Sequence, residues 1–257
     1  MAYALITGAN RGIGKAIARE LAKRKVNLLL VARNEDLLKK VSKELSHEFD
    51  VEAHYLVCDL AKIDGPQEIY NWCLINKYPV QYLINNAGYG LSGKFEKYEL
   101  AEYMENMQVN MNAVVQLTYL FLPELKKNSK GYILNIASSA AYQAVPYLSV
   151  YAATKSFVLQ FSRALRQELK HSNVSVTCVS PGSTETDWAQ RAKIGEKGLK
   201  LAKKVNMQAN QVARIAVDAM LKGRAEVITG IVNKLGAFMA WLLPKNLVES
   251  TSGRIYE

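Results

Sequence analysis

Seven short runs of β-branched and other apolar residues recur along the chain, and longer segments of helical length separate them. Such continuous apolar character indicates strands that are buried on both faces, as in a parallel sheet with a layer of helices on each side. Parallel neighbours need long crossover connections, and the intervening segments are long enough to supply them as helices. We therefore predict a doubly wound, three-layer α/β/α fold with a mostly parallel seven-stranded sheet. The predicted strands are 3–7, 27–32, 51–58, 80–85, 132–137, 174–180 and 226–229, and the predicted crossover helices are 12–24, 34–47, 64–77, 99–127 and 152–170.

The chain has 257 residues, and no repeat or linker divides it. Because one α/β domain can reach this length, we predict a single Rossmann-type domain over residues 1–257. The lysine-rich segment 186–208 follows a predicted strand, where the ligand loops of such folds project. We predict that it is a variable substrate loop that covers the substrate, rather than only a solvated helix. Residues 225–257 are predicted to form an apolar tail that helps to cover a lipophilic substrate.

The cysteine and histidine content argues against a metal centre. Cys58, Cys73 and Cys178 are far apart, form no CxxC pair, and are accompanied by only three histidines. This set offers neither the ligand spacing of a metal site nor a Ser-His-Asp triad, so we predict no metal. We expect reduced, packed thiols in a reducing compartment. Because the N-terminus has no signal-peptide pattern, we expect a cytoplasmic location.

The formal net charge of +10 favours an anionic partner. The basic residues are dispersed rather than interleaved with aromatics, so we predict no nucleic-acid partner, and a phosphate-bearing cofactor or substrate accounts for some of the charge. The late apolar stretch 235–244 is about half of the roughly 20 residues that span a bilayer. We predict no integral membrane segment and expect a buried or substrate-covering helix there, with a membrane-surface or dimer-facing helix as the alternative.

A glycine-rich turn, TGANRGIG at 7–14, directly follows the first predicted strand and opens the first predicted helix. Gly8 would let the strand turn, Gly12 would let the backbone approach a pyrophosphate, and Gly14 would let helix and strand pack closely. The free N–H groups and partial positive charge at the helix N-terminus favour phosphate binding. A strand on one side and a helix on the other favour a dinucleotide site over a simple tight turn.

The end of the second predicted strand bears on the choice between the two nicotinamide dinucleotides. A carboxylate there would bind the ribose hydroxyls, whereas this chain has Arg33 at that place and Arg11 in the glycine-rich turn. Two guanidinium groups can bind a 2′-phosphate through charge-assisted hydrogen bonds. Glu35 and Asp36 are expected in the first turn of the next helix, where acids suit the helix dipole. We therefore predict NADP(H) rather than NAD(H), the alternative being that Arg33 only lies over the adenine.

Seven motifs, in the order and close to the spacing usual for one family, resemble the short-chain dehydrogenase/reductase family. They are TGANRGIG (7–14), CDL (58–60), NNAG (85–88), VNMN with Asn110, IASS with Ser138, YAATK (151–155) and PGSTET (181–186). The pattern is most similar to the hydroxysteroid and long-chain 3-oxoacyl reductase-like branch, whose members commonly have a GxxNKL…LLP tail. The resemblance covers nearly the whole chain and departs in 186–208 and the C-terminal tail, so it implies the chemistry but not the substrate.

The resemblance implies a catalytic tetrad of Asn110, Ser138, Tyr151 and Lys155. It also implies that Asp59 binds adenine and that Thr186 holds the carboxamide or a phosphate. The full set of expected cofactor-binding residues is Thr7, Gly8, Asn10, Arg11, Gly12, Ile13, Gly14, Arg33, Asp59, Leu60, Asn86, Ala87, Gly88, Tyr151, Lys155, Pro181, Gly182, Thr184 and Thr186.

These residue types suit the reduction of a carbonyl, which needs a hydride donor at carbon and a proton donor at oxygen. Tyr151 and Lys155 are four residues apart and share one face of a helix. A nearby ammonium stabilises a phenolate and thereby makes the phenol a stronger acid. Ser138 would hold the carbonyl oxygen in the manner of an oxyanion-hole donor. By resemblance, Lys155 binds the nicotinamide ribose, and Asn110 orders a water chain from Lys155 to solvent.

We predict an NADPH-dependent oxidoreductase acting on CH–OH groups, with Tyr151 as the acid/base and a small apolar carbonyl or alcohol as the substrate. One alternative is a 3-oxoacyl-thioester (ACP or CoA) reductase, and a second is a non-catalytic NADP-binding regulatory protein. Such regulatory relatives usually lack the Tyr or the Lys, and this chain keeps both. Lysines that suit an anionic acyl carrier are Lys193, Lys197, Lys200, Lys203 and Lys204.

The predicted helices 99–127 and 152–170 pair across a dimer or tetramer interface in the family that the chain resembles. Both carry apolar positions that we expect to be exposed, so we predict a homodimer or homotetramer. These positions are Val114, Leu117, Leu120, Phe157 and Phe161.

Overall fold

A computed structural model describes residues 2–256, apart from the side chains of 197, 201–204, 255 and 256. Within this part of the chain, seven strands form one parallel sheet, in the order β3-β2-β1-β4-β5-β6-β9. The seven strands are β1 (Tyr3–Thr7), β2 (Asn27–Ala32), β3 (Ala53–Val57), β4 (Val80–Asn85), β5 (Gly131–Ile136), β6 (Val174–Ser180) and β9 (Glu226–Ile228). Each begins and ends within two residues of its predicted bounds, so the predicted doubly wound sheet is confirmed.

Helices cover both faces of the sheet. Along β2, Leu28 and Leu30 pack into the apolar cluster of one face, and Leu29 and Val31 pack into that of the other. The helices are α1 (Gly12–Ala22), α2 (Glu35–Phe49), α3 (Gly65–Ile75), α4 (Leu100–Met107), α5 (Ala113–Lys127), α6 (Ser149–Glu168), α7 (Trp188–Arg191), α8 (Glu196–Val205), α9 (Ala209–Leu221), α10 (Ile231–Leu242) and α11 (Lys245–Tyr256). Helices α1, α2 and α9 cover one face, and α3, α5 and α6 cover the other. Burial on both faces explains why the strands are continuously apolar in sequence.

The order of the strands places a crevice at the carboxyl end of β1. The chain leaves β1 toward β2 on one side, and β4 lies on the other side, so the winding direction reverses between β1 and β4. Open α/β sheets bind ligands in the crevice at this reversal. The glycine-rich turn and the segment after β4 both lie at this point.

The predicted helix 99–127 is interrupted, which the sequence pattern did not indicate. Between α4 and α5, Gln108–Asn112 forms one π-helical turn. Such wide turns inside helices are frequent at functional sites, and this one contains Asn110.

The segment 186–208 contains α7 and α8 and is bounded by two short parallel strands, β7 (Thr184–Glu185) and β8 (Met207–Gln208). It is therefore largely helical, and the pairing of β7 with β8 holds its two ends side by side.

Two of the apolar positions expected to be exposed are buried, so that part of the prediction is wrong. Val114 is 5% exposed and packs with Val158 and Leu159 of α6. Leu117 is 1% exposed and lies in the apolar core between α5 and the sheet. The repeat of apolar residues marks a helix face, but that face points to the sheet and to the neighbouring helix. Phe157 is 38% exposed, and Phe161 and Leu120 are partly buried.

The expectation that the helix at 235–244 is buried is wrong for four of its large side chains, and its alternative as a substrate-covering helix stays a prediction. Leu235, Phe238, Trp241 and Leu242 of α10 are all more than half exposed, whereas Ala240 is buried. The helix presents Ala240 to the protein and these four large apolar residues outward. In the described part of the chain, no helix is long and apolar enough to cross a bilayer.

The three cysteines are buried and form no disulfide. Burial raises the pKa of Cys58 and of Cys73 to about 12, and that of Cys178 to about 11. They therefore remain protonated near neutral pH, as is usual for packed, unreactive thiols.

Candidate active site

A cavity of about 440 Å³ opens at the carboxyl edge of the sheet, at the reversal between β1 and β4. Every predicted site residue lines it except Thr7 and Asn110, which are buried behind its wall. Segments from widely separated parts of the chain thus meet in one place, because parallel strands bring all their carboxyl ends to the same edge.

The glycine-rich turn forms one end of the cavity. Gly8 and Gly12 have φ angles of +65° and +54°, which only glycine adopts readily. Asn86 donates from Nδ2 to the carbonyl oxygen of Thr7 at 2.8 Å, and Thr7 Oγ1 accepts from the backbone N–H groups of Asn86 and Ala87 at 3.0 Å each. Thr7 therefore joins the turn to the segment after β4 instead of facing the cavity. The turn leaves the N-terminus of α1 open to the cavity, which fits a pyrophosphate.

Gly14 allows the closest approach in this turn. A Cβ at Gly14 would lie 2.2 Å from the carbonyl oxygen of Gly8 and 2.4 Å from Asn86 Nδ2. We expect Gly14→Ala to lower the free energy of unfolding by about 1–3 kcal/mol, as other overpacked sites do. Urea unfolding followed by circular dichroism measures this change. Gly236→Ala is the control, since nothing lies within 4 Å of its Cβ, and it is expected to stabilise α10 by about 0.5–1 kcal/mol. Equal effects of the two substitutions would contradict the close packing at Gly14.

Three arginines surround the outer part of this end of the cavity. Arg11 forms an ion pair with Asp187, and Arg191 Nε lies 3.5 Å from the same carboxylate. Arg33 Nη1 lies 3.8 Å from Asp59 Oδ2 and 3.8 Å from Glu105 Oε1.

The three guanidinium groups influence one another. Burial lowers the pKa of Arg191, Asp187 raises it, and the charges of Arg11 and Arg33 lower it further. The arrangement is a cluster of three guanidinium groups with the carboxylates of Asp187, Asp59 and Glu105 among them, beside the turn that would hold phosphates. Asn34 caps α2 by accepting from the N–H of Leu37 at 2.8 Å, so Glu35 and Asp36 lie in the first turn of that helix as predicted.

Ser138, Tyr151 and Lys155 meet at the opposite end of the cavity. Ser138 Oγ accepts from the N–H of Ala140 at 3.1 Å, which leaves the Ser138 O–H able to donate to a ligand. Tyr151 is in the first turn of α6, and Lys155 follows one turn later on the same face. The Lys155 ammonium lies 5.9 Å from the centre of the Tyr151 ring and donates to the carbonyl oxygen of Ile136 at 2.9 Å.

Lys155 is almost fully buried, with 5% of its surface exposed. Burial lowers its pKa from 10.5 to about 8, because an apolar surrounding disfavours the charged form. At neutral pH the ammonium is therefore still mainly protonated, but it holds its proton far less tightly than an exposed lysine.

Asn110 occupies the π-helical turn and is fully buried. Its Oδ1 accepts from the N–H of Tyr89 at 3.1 Å, and its Nδ2 donates to the carbonyl oxygen of Tyr89 at 3.0 Å and to Thr154 Oγ1 at 3.1 Å. These bonds fix the segment after β4 against α6. A Cβ on Gly88 would lie 3.0 Å from Asn110 Oδ1 and 3.1 Å from Lys155 Nζ, so Asn110 and Lys155 flank the same glycine.

The cavity beside Ser138 and Tyr151 is bounded mainly by apolar side chains. The Trp188 and Tyr151 rings lie 5.0 Å apart and are tilted by 49°. The predicted substrate loop contributes α7 and α8, and the C-terminal tail contributes Asn233 and Ser252. The apolar residues of this wall are Val145, Leu148, Trp188, Ala189, Ile194 and Val205.

The sequence of the chain matches the model of the short chain dehydrogenase family over residues 2–197. The chain belongs to the short-chain dehydrogenase family. Among curated relatives, the very-long-chain 3-oxoacyl-CoA reductase of Anas platyrhynchos is 34% identical over 200 residues, which are 75% of this chain and 62% of the relative. The chain thus spans about three-fifths of the length of that relative.

Two solved dehydrogenase structures have the same fold. A short-chain dehydrogenase of Sphingobium yanoikuyae in complex with NADPH is 27% identical, covers 94% of each chain and gives a TM-score of 0.82. An alcohol dehydrogenase of Thermococcus sibiricus complexed with 5-hydroxy-NADP is 29% identical and gives a TM-score of 0.76, with 89% of this chain and 96% of that chain covered. The chain therefore has the Rossmann-like architecture of this family, as predicted from the sequence.

Several cavity residues were not predicted from the sequence. Arg191 and Asp187 lie in the lysine-rich segment, where no motif distinguishes them from solvated charges, and Trp188 has no neighbour in sequence that marks it as part of a site. Lys193 and Lys200 are exposed and do not line the cavity. The side chains of Lys197, Lys203 and Lys204 lie outside the described residues.

Proposed function

We propose that this protein is an NADPH-dependent oxidoreductase that transfers a hydride between the nicotinamide and the carbonyl or alcohol group of an apolar substrate. The observation that carries the proposal is the convergence of Ser138, Tyr151 and Lys155 in one cavity with the glycine-rich turn. When bound, the nicotinamide supplies or accepts the hydride. The residues of the chain supply the proton, the hydrogen bonds and the positions.

In the direction of reduction, Ser138 donates a hydrogen bond to the carbonyl oxygen of the substrate, and Tyr151 gives its proton to that oxygen. The positive charge of Lys155 stabilises the resulting phenolate. Lys155 also provides the ammonium that would bind the nicotinamide ribose. Asn110 acts as a positioning residue, because its hydrogen bonds to Tyr89 and Thr154 hold the segment after β4 against α6. The water chain that the family resemblance assigns to Asn110 stays a prediction.

The three arginines support a preference for NADP(H) over NAD(H). A guanidinium–phosphate hydrogen bond is charge-assisted and contributes about 1.5–3 kcal/mol. We expect Arg33→Gln to weaken NADPH binding by about 10- to 100-fold and to leave NADH binding within a few-fold. Titration of the protein with each dinucleotide, followed by calorimetry, measures both dissociation constants.

Arg214→Gln is the matched control, because Arg214 is exposed on α9 and does not line the cavity. It is expected to change neither dissociation constant. If Arg33→Gln weakened NADPH and NADH binding equally, Arg33 would only lie over the adenine, and the proposed preference would lose its support.

A second candidate function is the reduction of a 3-oxoacyl thioester. The relative from Anas platyrhynchos is a very-long-chain 3-oxoacyl-CoA reductase, and Lys193 and Lys200 are exposed on the segment that contributes to the apolar wall. NADPH oxidation with 3-oxoacyl-CoA substrates and with uncharged ketones distinguishes the two candidates. A Michaelis constant that rises with salt for the acyl-CoA substrates alone favours the thioester, since salt screens exposed charges.

We also propose a homo-oligomer. The rings of Phe157 and Phe161 on α6 are stacked with their centres 6.1 Å apart, and Phe157 is partly exposed. Light scattering at several protein concentrations tests this proposal, and a monomer at all concentrations would contradict it.

A further inference from the structure

Helix α10 directs its large apolar side chains away from the protein. Ile231, Leu235, Phe238 and Leu242 are spaced by four, three and four residues, which places them on one face of the helix. They are 84%, 59%, 53% and 57% exposed, respectively. We refer to these four residues as the outer face of α10. Contiguous apolar patches on soluble proteins mark sites of interaction.

The opposite face fixes this orientation. Ala240 is buried, and Asn233 donates from Nδ2 to the carbonyl oxygen of Thr229 at 2.7 Å and lines the active-site cavity. Asn233 also packs against Gly182, where a Cβ would lie 2.1 Å from its Nδ2. Turning the helix to bury Phe238 would break these contacts. The exposure of the outer face is therefore built into the fold.

Positive charge and an aromatic residue border the outer face. Lys234 is exposed one turn before Phe238, and Trp241 is 74% exposed with its ring centre 6.0 Å from that of Phe238. Just after α10, the exposed Lys245 donates from Nζ to the carbonyl oxygen of Ala240 at 2.8 Å. Helix α10 contains no acidic residue, and the net charge of the chain is +10. An apolar face with lysines and a tryptophan at its border is the composition of a helix that lies in a membrane interface.

We propose that α10 binds the surface of an anionic lipid bilayer, with its outer face in the boundary between headgroups and acyl chains. If a second copy of this chain packed its α10 against this face, neither copy would offer an acidic residue of α10 to pair with Lys234 of the other. Lipid phosphates supply the missing negative charges. The 12 residues of α10 extend for about 18 Å at 1.5 Å per residue, too short to span a bilayer but long enough to lie in its surface.

The proposal does not depend on the proposed reaction, but it has a consequence for it. Asn233 on the inner face of α10 and Ser252 on α11 both line the cavity. Helix α10 therefore separates the cavity from the proposed lipid surface. An apolar substrate dissolved in the bilayer would then be concentrated close to Tyr151.

Flotation of the protein with vesicles tests the proposal. We expect binding to vesicles of phosphatidylcholine with phosphatidylglycerol, and at least about tenfold weaker binding to phosphatidylcholine alone. Leu235→Ser combined with Phe238→Ser should weaken binding to the anionic vesicles by at least about tenfold. Lys234→Gln should weaken it by several-fold and make it less sensitive to salt.

Ile63→Ser combined with Ile75→Ser is the matched control, because these residues are 80% and 79% exposed on another surface of the protein. It should leave vesicle binding unchanged. Thermal unfolding of each variant verifies that it is folded. The proposal is overturned if the wild type does not float with anionic vesicles, or if both pairs of substitutions have the same effect. A different result would also overturn it: neither the wild type nor any variant binds lipid, and light scattering shows a wild-type oligomer. In that case Leu235→Ser combined with Phe238→Ser would dissociate the oligomer, and the control pair would not.

Discussion

Replacing Tyr151 by phenylalanine is expected to lower kcat for carbonyl reduction by about 10²- to 10⁴-fold, the usual contribution of a positioned general acid. The substitution removes one hydroxyl and keeps the ring, which packs against Trp188 at 5.0 Å between ring centres. The cavity wall should therefore be preserved. The dissociation constant for NADPH should change by no more than a few-fold, because the glycine-rich turn and the arginines are untouched. Initial rates of NADPH oxidation measure kcat, and calorimetric titration measures the dissociation constant for NADPH.

Tyr142→Phe is the matched control for this experiment. Tyr142 follows Ser138 closely in sequence, but its hydroxyl donates to Glu226 at 2.6 Å and does not face the cavity. Loss of this hydrogen bond to a carboxylate should lower the free energy of unfolding by about 1.5–3 kcal/mol and leave kcat nearly unchanged. A Tyr151→Phe variant that retained substantial turnover would show that another group donates the proton.

The strands, and the segments that line the cavity, were predictable from the sequence for a physical reason. A strand that is buried on both faces must be apolar at every position, as Leu28 to Val31 are, and such runs stand out from amphipathic helices. The glycine-rich turn was equally visible, because Gly8 and Gly14 have no room for a side chain. Both signals are local in the chain.

Features that depend on the direction of a helix face were not predictable in the same way. The apolar repeat in α5 identified Val114 and Leu117 as sharing a helix environment, but it could not show that they face the protein interior. In α10 the reverse holds: the apolar run suggested burial, and the contacts of Asn233 turn its large side chains outward. The pairing of Asp187 with Arg11 was not visible in the sequence, because the two residues are 176 positions apart. Such long-range charge pairs leave no periodic signal.

The buried ammonium of Lys155 gives a second large and measurable effect, on stability. The pKa of Lys155 is lowered from 10.5 to about 8 by burial. Below pH 8 the group is protonated in both the folded and the unfolded chain, so the full destabilisation by the buried charge is present. Between pH 8 and 10.5 the folded protein releases this proton while the unfolded chain keeps it, so the folded state becomes relatively more stable as the pH rises.

This effect is tested by comparing the free energies of unfolding of the wild type and of Lys155→Met, in the absence of cofactor and as a function of pH. The free energy of unfolding of the wild type, relative to that of the variant, should rise by about 3 kcal/mol between pH 8 and 10.5, at about 1.4 kcal/mol per pH unit. Effects of titratable groups that do not interact with Lys155 occur in both proteins and cancel in the difference, whereas the interaction of Lys155 with Cys178 does not cancel. The variant also loses the hydrogen bond from Lys155 to the carbonyl oxygen of Ile136. This loss contributes to the difference in free energy of unfolding that is already present at the lowest pH. Lys40→Met, at an exposed position of α2, is the control and should show no such slope, because its ammonium is hydrated in both states. The contradicting result is a difference in free energy of unfolding between the wild type and Lys155→Met that stays constant from pH 7 to 10.5. That result would show that burial does not destabilise the ammonium and does not lower the pKa of Lys155.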